Sequence, residues 1–426
     1  MEGGKRKRPI AARLGSILLV LWVSLAAYLP HALAAKDELQ IGLPDFPRRI
    51  ERTLPPLRPE QEIRLGIFKL HPSFFSSIEY DDNILLSHKD EKEDVIFTQT
   101  PGLGMELNLG DHRFQAGYGM EIENFAKFEE ENAVNHLANA VLELNFTDLQ
   151  IKFQDVFEKA TSRSFSETSA RDDLLTNTFE ILGRYDRPRW AGELGWRHNT
   201  LDHRKEDLDI DDLEEDVLAI LGGYKFLPKT LFLLEMDLGV VTYRNTGNAN
   251  HDYWQILTGL RGDPLPKVAT TAKIGFQGRQ LGDVPGSGPQ TDFEGLVANM
   301  DLTYGFTERD TMRIAYVRTI RNSTFAENGW YRQDKISITY AKRFLNKWVV
   351  TPEFGWQMND YPESATVGTS VKVRQDNYWL GGVSLRYEIK QWLGMEVAYH
   401  HRHRDSNFDS LDFKNNRLNI ELKLAY

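Results

Sequence analysis

RLNIELKLAY, residues 417–426, alternates strictly: Leu418, Ile420, Leu422 and Leu424 are apolar, Asn419, Glu421 and Lys423 between them are polar, and Tyr426 closes the series. A period of two describes a β-strand with one apolar and one wet face. A terminal strand with charges on one face and an aromatic as its last residue needs a use for both faces. The rest of the chain supplies one.

The same pattern returns from about residue 69 onward. In NKWVVTPEFGWQMND (346–360), Trp348, Val350, Pro352, Phe354, Trp356 and Met358 share one face against Val349, Thr351, Glu353, Gly355 and Gln357. HRFQAGYGMEIE (112–123), GLVANMDLTYGF (295–306) and YWLGGVSLRYEI (378–389) alternate likewise. Many such segments run about ten residues or more, whereas strands of soluble domains usually stop at five or six; ten tilted residues are what crossing a bilayer requires. Short links such as LGDH (109–112), FTD (146–148), LPKT (227–230) and LNK (345–347) take turns with long polar ones, among them 87–94, 158–173, 200–216, 279–290 and 360–371. Aromatics fall in two bands. Phe146, Trp190, Tyr224, Trp348 and Tyr387 flank short links, while Phe125, Phe157, Tyr243, Trp254, Trp330, Trp356, Trp379 and Tyr399 lie toward long ones. Together these features predict an all-β fold: a transmembrane antiparallel up-and-down β-barrel over 69–426. It has about eighteen strands, sixteen being the other even count the segments allow, with apolar faces toward lipid and aromatic girdles at both interfaces. An even count puts both termini on the short-turn, periplasmic side. The segment 159–180 has no clean period and is the weakest strand assignment.

Composition agrees. Charged residues make up 27%, and cysteine is absent, which excludes disulfides, thiolate metal sites and cysteine nucleophiles. Residues 1–34 combine a basic start (Lys5, Arg6, Lys7, Arg8, Arg13), the apolar run ILLVLWVSLAAYL and a small-x-small site at Ala32-Leu33-Ala34, as in a secretory signal peptide. Its removal takes away five basic residues and Glu2, so the net charge falls from −11 to −15 and a nucleic-acid partner is excluded. Residues 35–68, with Pro44, Pro47, Pro55, Pro56 and Pro59, read as an extended periplasmic linker.

The terminal strand, with Leu422, Leu424 and Tyr426, resembles the signal that bacterial outer-membrane barrels present to their assembly machinery. Two further stretches, Tyr80-Asp81-Asp82-Asn83-Ile84 and Arg404-x-Ser406-Asn407, resemble the β-barrel porins of exopolysaccharide gene clusters over roughly 65–426. That resemblance implies an outer-membrane channel of a Gram-negative bacterium exporting polysaccharide. Its partners would be outer-membrane lipid and lipopolysaccharide, the assembly machinery, the polymer and periplasmic polysaccharide-export proteins. The alternative is a diffusion porin for small solutes, in which the third long loop (158–173) folds inward as a constriction.

With the apolar faces outward, the lumen is lined by Glu121, Glu123, Glu143, Arg197, Glu235, Asp237, Arg313, Lys335, Glu353, Arg386 and Glu396. Eighteen strands enclose a space too wide for side chains to fill, so a wet lumen is expected. Charges of both signs argue against a strongly ion-selective ring. No catalysis, cofactor or metal is expected. His403-x-x-Ser406 loosely resembles the His-x-Ser-Asn of outer-membrane lipid deacylases and phospholipases, but its spacing puts base and nucleophile on opposite strand faces. His401 and His403 share what should be an outer face. Asp207, Asp209 and Asp211 have the start of a calcium-loop spacing without its glycine or terminal glutamate. Arg261-Gly262-Asp263 is expected in a periplasmic turn.

Overall fold

The computed structural model describes residues 63–163, 171–204, 211–245, 247–283, 290–323 and 328–425. The expected signal peptide (1–34), residues 35–62 of the expected linker, Asp207, Asp209 and Tyr426 lie outside the described residues. Among the described residues nineteen strands follow one another: β1 (Ile63–Leu65), β2 (Phe68–Asp81), β3 (Asp94–Leu109), β4 (His112–Phe125), β5 (Ala133–Asn145), β6 (Leu149–Arg163), β7 (Arg171–Asp186), β8 (Trp190–His203), β9 (Leu213–Leu227), β10 (Thr230–Tyr243), β11 (His251–Leu265), β12 (Val268–Leu281), β13 (Phe293–Thr307), β14 (Asp310–Asn322), β15 (Trp330–Phe344), β16 (Trp348–Val367), β17 (Ser370–Lys390), β18 (Leu393–Ser406) and β19 (Phe413–Ala425). Each of β2–β19 pairs antiparallel with its sequence neighbours, and β19 returns to β2 from Arg417↔Asp81 to Ala425↔Ser73. The result is a closed ring of eighteen strands, the architecture expected. Closure matters because an open strand edge in a bilayer leaves backbone N–H and C=O groups without partners. The three residues of β1 form a hairpin with the start of β2, Ile63↔Leu70 to Leu65↔Phe68.

Short turns crowd one end. Gly110 supplies φ +69 between β3 and β4, and the turn between β15 and β16 holds both Leu345 and Asn346 at positive φ. Both ends of the described chain emerge at this same end. At the other end the links are long, with two corrections. Residues 360–371, expected as a loop, are mostly strand: β16 and β17 run 20 and 21 residues and turn at Gly368-Thr369, Gly368 having φ +61. Residues 158–173 are also largely a hairpin, paired as far as Arg163↔Arg171, rather than irregular chain. Arg261-Gly262-Asp263 belongs to β11 and not to a turn; Gly262 (φ +123) takes up a bulge there.

Because paired residues share a face, the register fixes which side chains point inward. They are the odd-numbered residues of β2, β4, β5, β8–β16 and β19 and the even-numbered residues of β3, β6, β7, β17 and β18. The opposite face carries the exposed apolar side chains, such as Phe232, Leu234 and Met236 on β10 and Leu418, Ile420 and Leu422 on β19. This is an inside-out soluble protein, as lipid contact demands. Two girdle residues are corrected: Phe125 and Tyr243 are inward-facing and buried, sharing parity with Glu123 and Asp237.

Candidate functional site: the lumen and its mouth at the long-loop end

All eleven lumen positions named from the sequence lie on the inward face, and cross-strand pairs hold many of them. Arg113 donates to Glu143 across β4 and β5, with Nη2 3.0 Å from a carboxylate oxygen. Lys273 reaches Glu235 at 2.8 Å, Gln255 donates to Asp237 at 3.0 Å, and Arg197 lies 4.0 Å from Glu215. Arg313 pairs with Asp301, Arg386 donates to Glu396 at 3.0 Å, and His400 sits 3.1 Å from Glu353. Glu121 accepts from Asn135 at 3.0 Å. Lys335 is inward on β15 and half-buried.

The lumen is not uniform. The side chain of Arg197 is 4% exposed and that of Glu235 8%, whereas Arg313, Arg386 and Glu353 are 55%, 46% and 42% exposed. One reason is curvature. Arg261 on β11 reaches Glu193 on β8 at 2.9 Å although two strands intervene. Three strand spacings of ~4.8 Å would hold them about 14 Å apart on a flat wall, so the wall folds tightly there. Leu221, Leu231 and Leu233 pack together inside that fold.

The mouth is narrowed by chain that turns inward. The first long link, 82–93, carries Ile84 and Leu86, both essentially unexposed. Ile84 packs with inward-facing Ile96 and Phe125, and Leu86 with Tyr378 of β17 and Phe413 of β19. Asn83 pins this loop. Its amide donates to the carbonyls of Ser87 and Lys414, each at 2.9 Å, its carbonyl accepts from Ser87 N–H at 2.9 Å, and its own N–H donates to Asp81 at 2.9 Å. Asn415 donates to Asp81 at 2.7 Å, and Asn416 donates to Asp82 at 2.6 Å. The Tyr80–Ile84 motif, from the start of the barrel, is thus locked to the last strand.

The second motif lies beside that seam, on β18. Ser406 donates from its hydroxyl to Asp376 at 2.6 Å, and Asp376 also takes Arg374, 2.7 Å from Nη2, with both side chains fully buried. The Arg404 guanidinium lies 4.9 Å from the Phe413 ring and 5.9 Å from that of Tyr378. Arg374, Asp376 and Tyr378 were not singled out from the sequence, although their i, i+2, i+4 spacing was there to be read. On the other side of the mouth the β6–β7 hairpin leans inward. Thr161 N–H donates to inward-facing Asn135 at 2.7 Å, and Arg171 bonds Glu123 at 2.7 Å, both side chains at most 4% exposed, with its guanidinium 4.8 Å from the Phe125 ring. Nothing in the sequence near Arg171 announces this partner, 48 residues away.

His401 and His403 face outward on β18, opposite to Ser406, and among the described residues no cluster of three or more metal-ligating side chains occurs. Asp211 and Asp212 are engaged by Asn248 (2.7 Å) and by the backbone N–H of His203 (2.6 Å).

Residues 222–426 match the family described as "Putative beta-barrel porin 2". The C-terminal part of the chain is similar to a porin family. No curated protein matches. Among solved structures, the outer membrane protein OpdK of Pseudomonas aeruginosa is similar at 12% identity, with 84% of this chain and 99% of that one covered and a TM-score of 0.46. OccK2 (OpdF) of the same organism, in complex with glucuronate, gives 11%, 85%, 99% and 0.48, and OccAB4 of Acinetobacter baumannii 13%, 87%, 100% and 0.45. At these scores the likeness carries no argument, and the barrel rests on its own strand register. The chain is an outer-membrane-type β-barrel of porin-like architecture.

Proposed function

We propose that the barrel is a diffusion channel for small polar solutes across the outer membrane of a Gram-negative bacterium. The observation carrying this reading is the built, narrowed mouth: loop 82–93, pinned through Asn83, and the β6–β7 hairpin, pinned through Arg171, turn inward against lumen-facing side chains. A pore with a fixed constriction sorts small solutes by size and charge. On this reading residues 1–34 direct export, both termini are periplasmic, and Leu422, Leu424 and Tyr426 present the barrel to its assembly machinery. Lipopolysaccharide headgroups would meet the outward ionic network of Arg318, Arg332, Asp334 and Asp360 near the long-loop end. The test is conductance of the purified full-length protein in planar bilayers, with liposome swelling by sugars of increasing size. Steady conductance and a sharp size cut-off are expected; no permeation by any solute refutes the reading.

The second reading is polysaccharide export, the function implied by the family resemblance. It is favoured by one observation: both motifs carrying that resemblance sit at the mouth, the first on the seam where β19 meets β2 and the second beside it, where β18 meets β17. Gene deletion separates the two. Polymer retained inside the cell supports export, and normal surface polymer with slowed solute uptake supports diffusion.

A further inference from the structure

The lumen holds both signs, but they are not mixed around its circumference. Counting the described inward positions strand by strand, β2–β10 carry fifteen acidic and six basic side chains. The facing arc, β11–β19, carries eight acidic and fifteen basic. Each arc is nine strands of the ring of eighteen, so each is half the wall.

Pairing within each arc does not erase the difference. On the acidic arc the bases are largely absorbed by local partners, such as Lys69 by Glu106, Arg113 by Glu143 and Lys225 by Asp186. On the basic arc the acids are absorbed, Asp301 by Arg313, Glu388 by Arg343 and Glu421 by Lys423. Pairing within an arc leaves its net charge unchanged, so each arc keeps its majority sign. Bridges between the arcs occur where they join: Arg417 with Glu79 at one junction, Lys273 with Glu235 and Arg261 with Glu193 at the other. Away from the junctions the walls face each other across the lumen. Glu158 on β6 and Lys335 on β15 stand nine strands apart, on opposite sides, each about five residues from the long-loop end of its strand.

From this segregation we infer, building on the channel reading above, that the lumen carries a transverse electric field and selects small zwitterions, solutes bearing an ammonium and a carboxylate at opposite ends. Low-dielectric walls focus such fields into the water between them. A monovalent ion settles against the wall that attracts it and leaves the other wall unanswered. A zwitterion of suitable length turns its carboxylate toward the β11–β19 arc and its ammonium toward β2–β10, satisfying both at once. A neutral solute of the same size gains less.

Alanine and lactamide are isomers of one formula, one zwitterionic and one neutral, and are suitable probes. The full-length protein is reconstituted in liposomes and the swelling rates with each are compared as a ratio, which cancels the number of inserted channels. The wild-type ratio should favour alanine several-fold. Neutralising one wall (Glu121→Gln with Glu158→Gln) or the other (Lys335→Gln with Arg402→Gln) should bring the ratio toward one. In planar bilayers under a salt gradient the two double variants should shift the reversal potential in opposite directions, toward anions and cations respectively. Permeation of both solutes with a wild-type ratio of one overturns the zwitterion assignment and leaves the channel standing. Reversal potentials that shift in the same direction overturn the transverse field. Permeation by neither solute overturns the channel reading and this inference with it.

Discussion

Replacing Asn83 by alanine should unlock the mouth. The side chain makes three hydrogen bonds: from Ser87 N–H, to the Ser87 carbonyl and to the Lys414 carbonyl, each at 2.9 Å and in a fully buried position. Alanine removes all three and leaves the backbone groups of Ser87 and Lys414 without their partner. At ~1 kcal/mol for each, the docked state of loop 82–93 loses about 3 kcal/mol. With tenfold per ~1.4 kcal/mol, the open fraction rises roughly a hundredfold. Leu86, held at φ 51 against Tyr378 and Phe413, should leave with the loop, since that conformation is itself unfavourable for leucine. Hydrogen exchange read on peptides covering 82–93 should accelerate by about that factor, and single-channel recordings should gain a larger, noisier open level. The control is Asn407→Ala. It breaks a bond to the Val373 carbonyl at 2.7 Å in a different loop and should leave 82–93 protected. Unchanged exchange in the Asn83 variant refutes the pinning argument, because no other change in the chain would compensate for three lost bonds.

Arg171→Ala should release the β6–β7 hairpin by stranding the buried Glu123 carboxylate, a change that costs ~3–5 kcal/mol in buried pairs; conductance should rise, and Glu123→Gln in the same chain should restore part of the docking. Gly239→Ala should distort the inner wall because the Tyr253 ring lies directly against Gly239, and the Tyr253 bond to Glu215 (2.8 Å) should be lost with it. Overpacking of this kind costs about 1–3 kcal/mol, read as a lower unfolding temperature by gel mobility. Asp211 lies outside the spanning strands, and burial pushes its carboxyl above the usual carboxylate range while the Asn248 amide pulls it back. The folded protein therefore holds that proton more tightly than the unfolded chain. Stability from this group is full below the ordinary value and is lost as pH rises through the raised one. Asp211→Asn should make protection of residues 247–250 insensitive to pH in that window, and a persisting sensitivity would assign it elsewhere.

The barrel was legible in the sequence because lipid on one side and water on the other impose a period of two, and both faces of RLNIELKLAY obey it. The period failed where that contrast ends. Beyond the bilayer both faces of a strand are wet, so residues 360–371, with Pro362 and Gly368, read as a loop although they continue β16 and β17. A register shift between Asp360 and Ser364 accommodates the proline. Inward positions such as Glu121 and Arg386 were likewise readable from parity alone. Their partners were readable only between adjacent strands. Arg171 with Glu123, and Leu86 with Tyr378 and Phe413, depend on chain that leaves the wall and crosses the mouth, and no local pattern encodes that. The sorting of charge between the two arcs was present in the sequence too, but invisible until strand order turned a list of residues into a circumference.

The short strand β1 has a consequence for how the ring is sealed. Among the described residues β19 meets β2 as far as Ala425↔Ser73, and β1 occupies the same edge of β2 from Leu70 downward, with His71 and Pro72 between the two pairings. The chain thus carries its own doorstop. A last strand sliding two residues too far would keep its faces correct yet change the tilt and bore of the whole cylinder. With β1 in place that slide meets occupied backbone, so the gauge of the pore is set at the weld by three residues that never enter the ring.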